Sequence, residues 1–90
     1  RVQEGSGSGR KLYWTKRGQH DYEALPLSTQ QLADKQLDFL VKNLRHPSLK
    51  AKKYDEWRGI WQARITRDYR AYFLITKDAY ILLAVTKHPK

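Results

Sequence analysis

Arg64 and Arg70 each sit inside a run of alternating apolar and polar residues, and each carries a forked guanidinium whose donors match phosphate oxygens. Trp61, Ala63 and Ile65 alternate with Gln62, Arg64 and Thr66; after Arg67-Asp68, Tyr69, Ala71, Phe73 and Ile75 alternate with Arg70, Tyr72, Leu74 and Thr76. That pattern predicts a β-hairpin with one face in a core and arginines fixed on the other, a rigid mount suited to an anionic ligand. His88 follows the last apolar run, and its imidazole titrates near neutrality, so it can serve as acid or base. Lys50, Lys52, Lys53 and Arg67 lie close by in sequence and can hold further phosphates.

The charge balance points the same way. The 90 residues carry 18 Lys plus Arg against 9 Asp plus Glu, a formal charge of +9 and a pI near 10.0, which favours a polyanionic partner such as nucleic acid. Between Lys42 and Arg70 nine basic residues face only Asp55, Glu56 and Asp68, so acids there are too few to neutralise the arginines. A chain this short holds one small core, which places function on a surface or in a shallow cleft. The absence of cysteine removes disulfides and thiolate chemistry and fits a reducing cytoplasm. No apolar run reaches transmembrane length, so no membrane insertion is expected. Three scattered histidines without metal-ligand spacing, no glycine-rich phosphate loop and no Ser-His-Asp set leave no call for a metal or cofactor; His20 and His46 read as incidental.

These side chains need elements to position them. Residues 1–10 include Gly5-Ser6-Gly7-Ser8-Gly9, a flexible linker or fusion scar, and the folded domain is expected over residues 11–90. Lys11 to Thr15 reads as a first strand, and Lys16 to Leu25 as a short helix stopped by Pro26. Ser28 with Gln31 three residues on predicts a capped second helix running to about Leu44, with Ala33, Leu37, Leu40, Val41 and Leu44 as its apolar stripe. Pro47 to Arg58 reads as a basic loop or a ragged leading strand, and Ala79 to Thr86 as a strand apolar enough on both faces to lie centrally. The expected fold is α+β in the order β-α-α-β-β-β, with both helices on one face of a small antiparallel sheet and the other face open.

The ordered set Gly59-Ile60-Trp61, Arg64-Ile65-Thr66, Arg70 after a polar turn, a terminal apolar strand and a near-terminal His88 resembles the RelE/ParE superfamily of type II toxin-antitoxin toxins, nearest its YoeB-like branch. Tyr13-Trp14-Thr15-Lys16 and His46-Pro47-Ser48-Leu49-Lys50 extend the likeness over about residues 11–90. The resemblance implies a cytoplasmic toxin that cuts mRNA in the ribosome and is silenced by a cognate antitoxin. It further implies that Arg70 binds the phosphate, that His88 does acid-base work, and that Arg64 and Lys53 belong to the active face. Two positions depart from the YoeB pattern: Ser48 stands where it has a carboxylate, and Pro89 follows His88 where it has tyrosine.

The chemistry is self-consistent without the resemblance. RNA is cut with no metal when its 2'-hydroxyl attacks the adjacent phosphorus, given a base, an acid and cations for the charged intermediate. Arg64 and Arg70 supply cations, and His88 supplies a proton-transfer group. Asp55 or Glu56 could replace the missing carboxylate, while Tyr54, Tyr72 and Trp57 could stack on unpaired bases. Two other readings stay open: a ParE-like inhibitor of DNA gyrase that cuts nothing, and a plain RNA-binding module. The lysines could equally form an ordinary solvated face.

Overall fold

A computed structural model describes residues 10–87. Its elements run β1 (Lys11–Trp14), α1 (Lys16–Glu23), α2 (Leu27–Lys42), a 3-10 turn (Pro47–Leu49), β2 (Lys52–Asp55), β3 (Ile60–Arg64), β4 (Tyr69–Ile75) and β5 (Ala79–Lys87). They build one sheet in the order β1-β5-β4-β3-β2. The residues expected to form a loop or ragged strand contribute β2, and the sheet is mixed, because β1 lies parallel to β5 while the other neighbours are antiparallel. As its apolar pattern demands, β5 is interior.

The amphipathic stripe of α2 packs where its periodicity put it. Ala33, Leu37 and Leu40 join Ala63, Ile65, Ala71, Phe73, Leu82 and Val85 in one core, with Phe73, Leu40, Leu49 and Leu82 almost fully enclosed. Each such side chain contributes about 1.5–3 kcal/mol by leaving water. The start of α2 differs from the capping-box expectation. Leu27 opens the helix and Pro26 is its cap; the Pro26 carbonyl accepts the first helical bond from Gln30 at 2.9 Å, with no side-chain cap, so Ser28 and Gln31 are ordinary first-turn residues. Proline already fixes the backbone for entry, and the hydroxyl is not needed.

Thr15 is the true side-chain cap, at the head of α1. Its Oγ1 accepts the Gly18 N–H at 3.0 Å and donates to the Leu82 carbonyl at 2.9 Å, so one hydroxyl both starts the helix and pins it to β5. Beyond Trp14 the β5 edge has lost its β1 partner, and Asp21 of α1 takes over, accepting the Val85 N–H at 3.1 Å. Arg10, grouped with the linker by composition, is part of the domain: its Nε donates to the Thr76 carbonyl at 2.8 Å and its guanidinium lies 5.6 Å from the Tyr80 ring centre. Among the described residues no helix is long and apolar enough to cross a membrane.

Candidate phosphate-binding site

Register brings the two arginines together. Arg64 and Arg70 are direct cross-strand partners of β3 and β4 and share the face away from the helices. Like charges placed opposite one another in a sheet repel, so the pairing costs stability that an anion between them would recover. No acid relieves them: the ion pairs among the described residues are Arg17–Asp21, Lys42–Asp38, Lys53–Glu56 and Arg58–Asp55. Lys50, Lys52, Gln62, Arg64 and Arg70 line a recess of about 160 Å³. Gln62, only 6% exposed, gives it an amide floor, and no carboxylate lines it. Four cations thus surround a neutral amide on a strand scaffold, and the two guanidinium forks carry donors of the spacing that matches phosphate oxygens.

The guanidinium of Arg70 is oriented by the turn beside it. Nη1 donates to the carbonyls of Thr66 at 2.8 Å, Tyr69 at 3.0 Å and Arg67 at 3.3 Å. These bonds use Nη1 alone, so Nε and Nη2 are the donors left for a ligand. Arg64 is positioned through its backbone by Gln36, a buried polar residue of α2, whose Nε2 donates to the Arg64 carbonyl at 2.8 Å and the Ser48 carbonyl at 3.1 Å. Replacing it by leucine leaves both carbonyls without their donor, and Gln36→Leu is expected to lower unfolding free energy by about 1–3 kcal/mol, measured by denaturant titration.

Lys50 follows the 3-10 turn with φ 46° and ψ 42°, a left-handed conformation that is strained for a lysine. Lys52 pairs with Gln62 on the same face as the arginines. Lys53 does not. As the next residue of β2 it points to the other face, opposite Trp61, with its Nζ 5.3 Å from that ring's centre and 4.0 Å from Glu56. Arg67 is exposed in the β3–β4 turn and does not line the recess; its backbone carbonyl, not its side chain, supports Arg70. Asp55 and Glu56 are paired with Arg58 and Lys53 and do not line the recess either. His88 lies outside the described residues, while Thr86, two positions before it, is the cross-strand partner of Arg70.

Sequence reasoning passed over several of the residues that shape this site. Gln36 could have been found, since a glutamine at the i+3 position of the stripe between Ala33 and Leu37 demands a buried partner. His46 is organised rather than incidental: its Nδ1 accepts the Ser48 N–H at 3.2 Å, stands 2.8 Å from Ser48 Oγ, and its ring stacks on Phe39 at 3.8 Å. Tyr72, next to Arg70 on the open face, has its hydroxyl pKa raised, chiefly by burial and then by Tyr54, against smaller lowering effects from Arg70 and a hydrogen bond with Thr86; it is therefore protonated at neutral pH.

The family model described as the ParE toxin of the type II toxin-antitoxin system, parDE, matches residues 12–89. A search of curated proteins gives no match. Among solved structures, a YoeB/ParE toxin from Agrobacterium tumefaciens superposes with a TM-score of 0.73 at 18% identity, covering 88% of this chain and 99% of its own. The archaeal RelE-RelB complex from Pyrococcus horikoshii gives 0.73 at 14% identity, with 88% and 94% covered. The heterotetrameric YoeB-YefM toxin-antitoxin complex from Staphylococcus aureus gives 0.72 at 13%, with 89% and 98% covered. At these identities the likeness is one of fold.

Proposed function

Because the chain belongs to the ParE toxin family of type II toxin-antitoxin systems, we propose that it is a toxin that acts as a ribosome-dependent, metal-independent mRNA endoribonuclease. The observation that carries this reading is the carboxylate-free recess in which Arg64 and Arg70 face each other beside Lys50 and Lys52. In the proposed reaction the 2'-hydroxyl of the RNA attacks the adjacent phosphorus and the bond to the 5'-oxygen breaks, leaving a 2',3'-cyclic phosphate and a 5'-hydroxyl. Arg64 and Arg70 stabilise the doubly charged intermediate, and His88 transfers a proton. Lys50 and Lys52 hold the flanking backbone, with Arg67 and Lys53 contributing only to the wider positive field.

A cognate antitoxin is the proposed partner, in keeping with the RelE-RelB and YoeB-YefM complexes of similar fold. An acidic segment laid over the recess would satisfy the opposed arginines as an RNA phosphate does. A second reading, inhibition of DNA gyrase without cleavage, draws on the ParE family match itself and on Ser48 in place of a carboxylate. Pulse labelling after induction separates the two. The nuclease halts amino-acid incorporation while DNA synthesis continues; a gyrase inhibitor halts DNA synthesis first.

The strain at Lys50 gives a prediction that separates folding from function. Glycine adopts the left-handed conformation at no steric cost, so Lys50→Gly is expected to leave thermal stability equal or slightly higher. Its affinity for single-stranded RNA should fall, with the slope of log K against log salt reduced by about 1. A variant that binds RNA as before would remove Lys50 from the site.

A further inference from the structure

Two irregularities of the sheet flank the strands that carry the arginines, and both turn their extra residue toward one place. On β2 the register steps from Lys53↔Trp61 to Asp55↔Ile60, leaving Tyr54 as the extra residue. On β5 it steps from Tyr72↔Ala84 to Phe73↔Leu82, leaving Leu83 extra. Bulges re-aim side chains and recur beside functional sites. Here Tyr54 and Leu83 line the same open cavity of about 380 Å³, with Tyr72 and Ala84 between them. The Tyr54 and Tyr72 rings meet edge to face at 4.8 Å, and Tyr54 stays 58% exposed. An aromatic shelf with aliphatic walls therefore stands open to solvent on the face that carries Arg64 and Arg70.

The cavity and the arginine recess share no lining residue, but strand pairing sets them side by side. Tyr72 stands two residues from Arg70 on the same face of β4, about 6.8 Å along the strand, and its cross-strand partner is Gln62, the recess floor. Thr86, which pairs with Arg70, also lines the cavity, and Arg17 and Lys87 add positive charge at its edge. A single-stranded nucleotide whose phosphate sits between Arg64 and Arg70 would present a neighbouring base at this distance.

We propose that Tyr54, Tyr72 and the bulged Leu83 form a nucleobase subsite, which stacks the base adjoining the phosphate held by Arg64 and Arg70. This rests on the RNA-binding reading above. The subsite reads a flat π surface more than a hydrogen-bond pattern, and so accepts any base while rejecting a bare sugar-phosphate chain. Tyr54, exposed at its bulge, is the adjustable half of the pair, and Tyr72, half-buried within β4, is the fixed half.

The test is equilibrium binding, by fluorescence anisotropy, of a labelled 2'-O-methyl hexanucleotide, which cannot be cut, and of the same backbone made wholly abasic. Tyr54→Ala should lose about tenfold in affinity for the base-bearing chain, keep its affinity for the abasic chain, and leave the salt slope unchanged, because the phosphate contacts persist. Tyr54→Phe should bind like the parent, and Tyr72→Leu should repeat the loss; Tyr54 is exposed enough that its truncation spares the core, which circular dichroism would verify. Equal binding of both chains by the parent, or Tyr54→Ala affinity unchanged for the base-bearing chain while affinity for a protein antitoxin falls, would overturn the subsite alone. A parent that binds neither chain would overturn the RNA reading itself.

Discussion

Arg70→Ala is expected to lower the rate of mRNA cleavage by at least about a hundredfold, the usual consequence of removing one fixed donor from a developing anionic charge. Arg70 also braces the turn through three backbone carbonyls, so its loss mixes chemistry with geometry. Arg64→Ala separates them, because among the described residues the Arg64 side chain forms no hydrogen bond or ion pair. Its removal relieves the cross-strand repulsion, so Arg64→Ala should cleave about a hundredfold more slowly while unfolding at an equal or higher denaturant concentration. Arg70→Lys should not rescue: an ammonium is a point charge and cannot hold the turn with one edge and a phosphate with the other. Single-turnover cleavage beside equilibrium unfolding of the same preparations reads both effects.

Gly18→Ala is expected to cause the largest loss of stability from the smallest change. A Cβ built on Gly18 would lie 2.4 Å from the Leu82 carbonyl oxygen and 3.1 Å from its carbon, and both are backbone atoms that cannot swing aside. Nor can α1 back away, because Leu82 O accepts from the Thr15 N–H at 3.0 Å and from its hydroxyl, while Asp21 holds Val85. Alanine in a helix ordinarily gains about 1 kcal/mol over glycine; here overpacking should reverse that, to a net loss of about 2–3 kcal/mol. For a domain of this size the melting temperature would fall by about 10 °C or more. Thermal unfolding followed by circular dichroism checks it. An alanine variant as stable as the parent would mean that α1 does not dock on β5 this closely.

Much of the fold was legible because its periodicity is strong. The alternation through Ala63, Ile65, Ala71 and Phe73 fixes which side of the hairpin is core, and the α2 stripe has one way to bury itself. The illegible parts depend on contacts distant in sequence or on register. Nothing local tells that Lys11–Trp14 will lie parallel to Ala79–Leu82. The lysine run Lys50, Lys52 and Lys53 reads as one charged patch, yet strand alternation sends Lys52 to the arginines and Lys53 to Trp61. Bulges hide in the same way: at Tyr54 an extra residue shifts the pleat, and periodicity counted through it assigns the wrong face. At Ser28 two helix-start signals adjoin, and Pro26, which fixes its own backbone, sets the boundary. The opposed arginines were visible only as a pair of positions; their placement as direct partners, beside a buried Gln62, follows from the register of β3 and β4.

The most direct measurement is incubation of the intact protein with ribosomes programmed by a defined mRNA, followed by mapping of the cut positions and of the chemistry of the new ends. The nuclease account predicts site-specific cuts that leave 5'-hydroxyl and 2',3'-cyclic phosphate ends, fall at least about a hundredfold in His88→Ala and Arg70→Ala, and disappear when antitoxin is added. Intact mRNA under the same conditions, with gyrase trapped on DNA when the protein is expressed, would contradict it and assign the arginine recess to binding a protein rather than to cutting RNA.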